Sequence, residues 1–189
     1  TIISTGLSKW CGAGGWRLGY FIIPNTLNIL RDAINVLASE TFSSVSAPIQ
    51  YAAITAYSND YSEYLDNSKN ILRAVGGYVY ENLKSNKVII NKPQGGFYLM
   101  PEFSNKIFLT SSEMCNNLLK ETSVVLLPGS EFGFDKKRML ARLSFTDFNG
   151  QDFMKNIKGG KKIDNDLILK FAPKIVEGIY RLKKWSESI

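Results

Sequence analysis

The run Gly12-Ala13-Gly14-Gly15 constrains this chain more than any other stretch, because four small residues in a row hold neither a helix nor a strand well. On either side lie segments of strand character. Residues 1–9 begin Thr1-Ile2-Ile3-Ser4, and residues 16–23 read Trp16-Arg17-Leu18-Gly19-Tyr20-Phe21-Ile22-Ile23 before Pro24-Asn25 stops them. The pattern predicts a strand–loop–strand unit whose loop can double back. Lys9 then falls at the end of the first strand, flanked by Leu7 and Trp10, and Arg17 follows eight residues later.

These two side chains suggest a chemistry. A lysine in water, with a pKa of ~10.4, is protonated at neutral pH and is a poor nucleophile. Burial beside apolar groups or another cation lowers that pKa and lets the amine form a Schiff base. The fork of Arg17 suits a phosphate, and the glycines let backbone approach a ligand closely. Pyridoxal 5'-phosphate (PLP) carries its aldehyde and its phosphate arm on adjacent ring carbons, so it needs a lysine and an arginine as near neighbours. The plain alternative is a solvated lysine beside an ordinary hairpin. A dinucleotide fingerprint, G-x-G-x-x-G, fails: it would need glycine where Arg17 stands, and a helix where a strand-like run follows.

Composition narrows the remaining classes. With no histidine in 189 residues, a histidine-based zinc site and any triad that needs imidazole are excluded. Cys11 and Cys115 make neither a metal-ligand spacing nor a disulfide framework, so no metal is expected and a reducing compartment is. Cytoplasm is the expectation, an organelle matrix the alternative. The net charge is +6, but the basic residues are scattered in short groups such as Lys136-Lys137-Arg138, so no nucleic-acid partner is expected. No apolar run is long enough to cross a bilayer, so no membrane partner is expected either. The chain opens inside a strand-like run without Met, which reads as a piece of something longer, with a processed leader as the alternative.

Further along, residues 25–38 have helical spacing, with Leu27, Leu30, Ile34 and Leu37 on one stripe and Asn25 or Thr26 as N-cap. Pro48 opens a helix to about Tyr57, and a long helical pattern runs from Tyr61 to about Asn86. Gly76-Gly77 inside it costs about 1 kcal/mol per glycine, which a kink or close packing would explain. Val88-Ile89-Ile90 and Phe97-Tyr98-Leu99-Met100 read as strands around a turn at residues 92–96. Thr110 or Ser111 caps a helix to about Glu121, strands follow at Val124–Leu127 and Leu140–Phe145, and a last helix runs from about Asp164 to Trp185 after a flexible Lys158-Gly159-Gly160-Lys161-Lys162. The order is mixed α/β, with an α+β domain in which helices cover a sheet.

Residues 6–19 resemble the cofactor-lysine signature of the class I/II PLP-dependent aminotransferases, the aspartate aminotransferase superfamily of fold type I. Four further stretches are similar to the family's motifs and in the same order: Ser43–Tyr57, Pro93-Gln94-Gly95-Gly96-Phe97-Tyr98, Val125–Gly133 with its P-G-x-x-F-G loop, and Ala141-Arg142-Leu143-Ser144-Phe145. The resemblance implies the C-terminal half of that fold. Residues 1–45 would be the last strands of the large PLP-binding domain, and 46–189 the interdomain helix and small domain. It also implies roles. Lys9 would hold PLP as a Schiff base and shuttle a proton, Arg17 would bind the cofactor phosphate, and Arg142 would pair with the substrate carboxylate. The expected reaction moves an amino group between an amino acid and a 2-oxo acid, in a homodimer, with an aspartate- or glutamate-type donor by family frequency. The fragment alone would be inactive. The alternatives are a PLP-dependent lyase or synthase on the same scaffold, or a non-catalytic interaction module. Many members place a serine where this chain has Gly6, so one phosphate ligand of the family pattern is missing.

Overall fold

A computed structural model describes residues 1–104, 107–157 and 162–188. The chain folds as two compact units, Thr1–Leu65 and Asp66–Ile189.

In the first unit, β1 (Ile3–Gly6) runs into a one-turn helix, α1 (Leu7–Trp10). After a 3₁₀ turn at Gly14–Trp16 comes β2 (Gly19–Ile22), antiparallel to β1 with Ile3 opposite Ile22 and Gly6 opposite Gly19. The expected strand–loop–strand unit is therefore present, but its first strand ends three residues before Lys9. The helix α2 (Asn28–Thr41) follows a 3₁₀ turn at Asn25–Leu27, and neither Asn25 nor Thr26 caps it: Leu27 occupies the N-cap without a side-chain bond. The tighter turn absorbs the two polar residues expected as caps. Pro48 does lie in the first turn of α3 (Ala47–Ser58), where its missing N–H is no loss.

Neither α2 nor α3 buries a residue, and Ile3, Phe21, Ile22, Ile29, Val36, Leu37 and Phe42 are exposed. Single exposed apolar residues are ordinary, but a hairpin and a helix that expose whole apolar faces are not.

The second unit has a core of its own. From α4 (Ser62–Leu83), whose first turn lies in the first unit, Ile71, Val75, Val79 and Leu83 point inward at the i, i+4 spacing of one helix face. They pack with Val88, Leu99, Phe103, Leu118, Phe145 and Trp185 in one cluster. Gly76 explains itself: a Cβ there would lie 2.9 Å from Cζ of the buried Phe145. Gly77 has open space, and nothing in the structure accounts for it.

Short strands form the sheets. β3 (Val88–Ile89) pairs with β5 (Glu102–Phe103), not with β4 (Tyr98–Leu99) across the turn at 92–96. β4 instead pairs with β7 (Ala141–Ser144), which also pairs with β6 (Leu127–Pro128) to give the order β4-β7-β6. The helix α5 (Ser111–Thr122) has Thr110 as N-cap, accepting from the Glu113 N–H at 3.2 Å, as a capping residue should. The sequence pattern misses α6 (Gly150–Asn156), capped by Asn149. It also merges α7 (Asn165–Phe171) and α8 (Pro173–Ser188) into one helix. They are two, because Pro173 has no N–H to continue the ladder and biases Ala172 away from helical geometry. Of the expected flexible stretch, residues 158–161 lie outside the described residues. No described helix is long and apolar enough to cross a membrane.

Candidate active site

The hairpin brings Lys9 and Arg17 to one place. Both line a cleft of about 520 Å³ together with Thr5, Gly6, Ser8 and Gly19. The local sequence explains how. The Leu7 N–H donates to the Leu18 carbonyl at 3.2 Å, which extends the β1–β2 ladder into α1. The Ala13 N–H donates to the Leu7 carbonyl at 3.2 Å and folds the glycine-rich loop back over the same turn. Gly12, with φ of 68°, provides a backbone angle that other residues rarely adopt.

Arg17 was expected inside a strand. It occupies the left-handed region instead, with φ of 55°, and its Nη1 donates to the Gly14 carbonyl at 3.0 Å. That bond ties one end of the guanidinium to the 3₁₀ turn, a conformation that alternation of apolar and polar residues does not encode. Lys9 and Arg17 are both exposed, while Leu7 beside them is 2% exposed and anchors the turn.

Gly6 answers for the missing serine. A Cβ at this position would lie 2.5 Å from the Leu18 carbonyl oxygen and 2.9 Å from the Gly19 Cα, so the two strands meet here glycine against glycine. A serine could enter only if the hairpin opened.

An aromatic cluster supports the turn from the side. The indole Nε1 of Trp10 donates to the Tyr57 hydroxyl at 3.4 Å, and the Trp10 ring lies 5.6 Å from the Tyr57 ring and 6.1 Å from that of Tyr61. Tyr20 meets Tyr57 edge-on at 5.4 Å, and its hydrogen bond with Tyr57, more than its burial, raises the Tyr20 phenol above the ordinary value. None of these tyrosines stands out in the sequence, because the cluster joins segments far apart along the chain.

Arg142 lies in the second unit, on β7, and is half-buried. Its guanidinium carbon is 4.4 Å from the centroid of the Tyr98 ring and 4.4 Å from that of Phe132. Among the described residues, no carboxylate or hydrogen-bond acceptor is paired with it. The neighbouring Arg138 differs: its Nε and Nη2 donate to Glu102 at 2.9 and 2.6 Å.

The chain belongs to the class I and II aminotransferases, whose sequence profile matches residues 1–151. It is 32% identical over 151 residues to an aspartate aminotransferase of Sulfolobus acidocaldarius, covering 77% of this chain and 36% of that protein. An aspartate aminotransferase of Geobacillus stearothermophilus is 35% identical over 138 residues, with 70% and 34% covered. The chain thus spans about a third of the length of the curated relatives it matches. Among solved structures, an alanine aminotransferase from Pyrococcus furiosus superposes with a TM-score of 0.73 at 27% identity, covering 100% of this chain and 42% of that one. An aspartate aminotransferase from Thermotoga maritima gives 0.67 at 27% identity, over 97% of this chain and 39% of that one. These likenesses extend past residue 151 into α6, α7 and α8, where the profile ends. The expected mixed α/β class and the partial fold type I architecture are therefore correct.

Proposed function

We propose that this chain supplies the cofactor lysine and the carboxylate-binding arginine of a PLP-dependent aminotransferase that exchanges an amino group between an amino acid and a 2-oxo acid. The observation that carries the reading is the single cleft shared by Lys9 and Arg17. Its donor set fits PLP, with a primary amine for an aldehyde and a guanidinium for a phosphate. PLP, when bound, supplies an electron sink for charge that develops at the substrate's α-carbon.

The chain's own residues do the rest. Lys9 holds the cofactor through Nζ and afterwards carries a proton to and from the substrate α-carbon. Arg17, with Nη1 held on the Gly14 carbonyl, would offer its remaining N–H groups to the phosphate. With Gly6 bare of a hydroxyl, Arg17 would carry more of the phosphate on this side. Arg142 takes the substrate carboxylate in a bidentate pair, which a lysine could not copy.

In this reading residues 1–45 close the large PLP-binding domain and residues 46–189 form the interdomain helix and the small domain. The exposed apolar faces of the β1–β2 hairpin and α2 favour a longer parent that covers them, working as a homodimer. The test is a PLP titration followed by absorbance, on the protein as the cell makes it, with Lys9→Ala and Arg17→Gln alongside. The expected result is a band that Lys9→Ala abolishes. Loss of charged hydrogen bonds in Arg17→Gln weakens PLP binding roughly ten- to hundredfold. An unchanged band in Lys9→Ala overturns the assignment.

A further inference from the structure

Two rings from different elements flank the Arg142 guanidinium, each with its centroid 4.4 Å from the guanidinium carbon. Tyr98 stands opposite Ser144 in the β4–β7 pair, so Tyr98 and Arg142 are diagonal neighbours on one side of the sheet. Phe132 comes from the 3₁₀ turn Gly129–Phe132 that follows β6. That turn is held tightly. The Gly129 N–H donates to the Leu140 carbonyl at 2.7 Å, and a Cβ on Gly129 would lie 2.9 Å from that oxygen. Register fixes one ring and backbone contact fixes the other. Both rings are about 40% exposed, so Arg142 is sheathed near the surface rather than deep in the core.

A planar cation flanked by two rings is left with its N–H edge as the freest part to offer a ligand. We infer that Tyr98 and Phe132 are positioning residues, which hold the guanidinium of Arg142 so that its N–H edge meets a planar carboxylate. The inference rests on the reading of Arg142 as the carboxylate site and adds the device that orients it. An arginine free to rotate must be ordered at the moment of binding. Ordering one long side chain lowers affinity by roughly two- to tenfold. The rings meet that requirement in advance, and the edge they leave free suits a carboxylate, whose two oxygens accept from it in a bidentate pair.

The experiment uses the protein as the cell makes it, loaded with PLP, and calorimetry with 2-aminoisobutyrate. This amino acid has no Cα–H and so binds without turning over. Isopropylamine, the same molecule with a hydrogen in place of the carboxylate, is the control. Phe132→Leu and Tyr98→Leu are each expected to weaken 2-aminoisobutyrate roughly two- to tenfold while leaving isopropylamine unchanged. Tyr98→Phe and Phe132→Tyr, which keep the rings, restore the native affinity. In ¹⁵N spectra the Arg142 Nε–Hε signal, shifted by the rings in the native protein, moves toward the ordinary arginine position in the leucine variants only. If Arg142→Lys binds 2-aminoisobutyrate as well as the native protein does, the carboxylate reading fails and the inference with it. If Arg142→Lys weakens binding but the leucine variants do not, the carboxylate reading stands and the positioning role alone is overturned. Equal weakening of both probes in the leucine variants also overturns it, since that is the mark of general structural damage.

Discussion

Gly76 and Gly77 sit side by side in α4, and replacing each by alanine separates two forces that usually act together. The backbone term is common to both. An alanine in a helix interior is favoured over glycine by about 1 kcal/mol, partly through the unfolded chain. The packing term is not common. A Cβ at Gly77 meets nothing within 4 Å, whereas one at Gly76 would stand 2.9 Å from Cζ and 3.1 Å from Cε2 of Phe145, with Pro93 Cγ at 3.5 Å. Phe145 is 1% exposed, so its ring cannot swing into solvent to make room. Overpacking of this kind costs about 1–3 kcal/mol. Gly77→Ala should therefore stabilise by about 0.5–1 kcal/mol, and Gly76→Ala should end about 1–3 kcal/mol below it once the shared backbone term cancels. At about 2–4 °C per kcal/mol for a chain of this size, the two variants should differ in Tm by several degrees. Thermal unfolding followed by circular dichroism, checked by urea midpoints, measures the difference directly. Equal shifts in the two variants would refute the claim that Phe145 packs against the bare face of α4.

Two further outcomes follow from the titratable groups. The Arg138 guanidinium holds the Glu102 carboxyl below its ordinary value, chiefly by hydrogen bonding, against a smaller effect of burial. A depressed carboxyl contributes stability above its unfolded pKa and loses it as pH falls through the folded one. Glu102→Gln should therefore cost at most about 1 kcal/mol at pH 7 and next to nothing at the acid end of the carboxylate range, as read from urea midpoints at several pH values. A penalty that grows toward low pH would contradict the pairing. Burial pushes the Cys115 thiol up to about 11, so about one molecule in a thousand carries the thiolate at pH 8. Iodoacetamide should label the half-buried Cys11 first and reach Cys115 only on unfolding, which peptide mass spectrometry will show.

What the sequence made legible was local. Thr110 with Glu113 three residues on, and Pro48 at a helix start, are rules written within one turn, and both features are present. What escaped was either too short or too distant. The one-turn helix around Lys9 is shorter than any periodicity can register, and it interrupts a run that reads as strand. Pairing of β3 with β5, past β4, is decided by packing between segments that the alternation pattern treats alike. Pro173 was the avoidable miss, since its effect on a helix is as local as that of Pro48. For the candidate site, Lys9, Arg17 and Arg142 were singled out from the sequence, Arg142 only through the family likeness. Tyr98 and Phe132 could not be, because their place beside Arg142 depends on strand register and on a turn more than thirty residues along the chain from Tyr98.

The proposed site residues differ in how firmly their surroundings hold them. Arg142 lies on a strand whose neighbours Ala141 and Leu143 are 0% and 4% exposed, in a unit with a continuous apolar core. Lys9 and Arg17 lie on a two-stranded hairpin whose outward residues Ile3, Phe21 and Ile22 are at least half exposed, and an isolated hairpin is marginal in water. Its order rests on Leu7, on the close approach of Gly6 to Gly19, and on the Trp10–Tyr57 pair. Whatever covers the apolar faces of that hairpin therefore has leverage over Lys9 and Arg17 together, while Arg142 keeps its geometry without it. The proposed cofactor residues and the proposed carboxylate residue are therefore stabilised by separate parts of the chain.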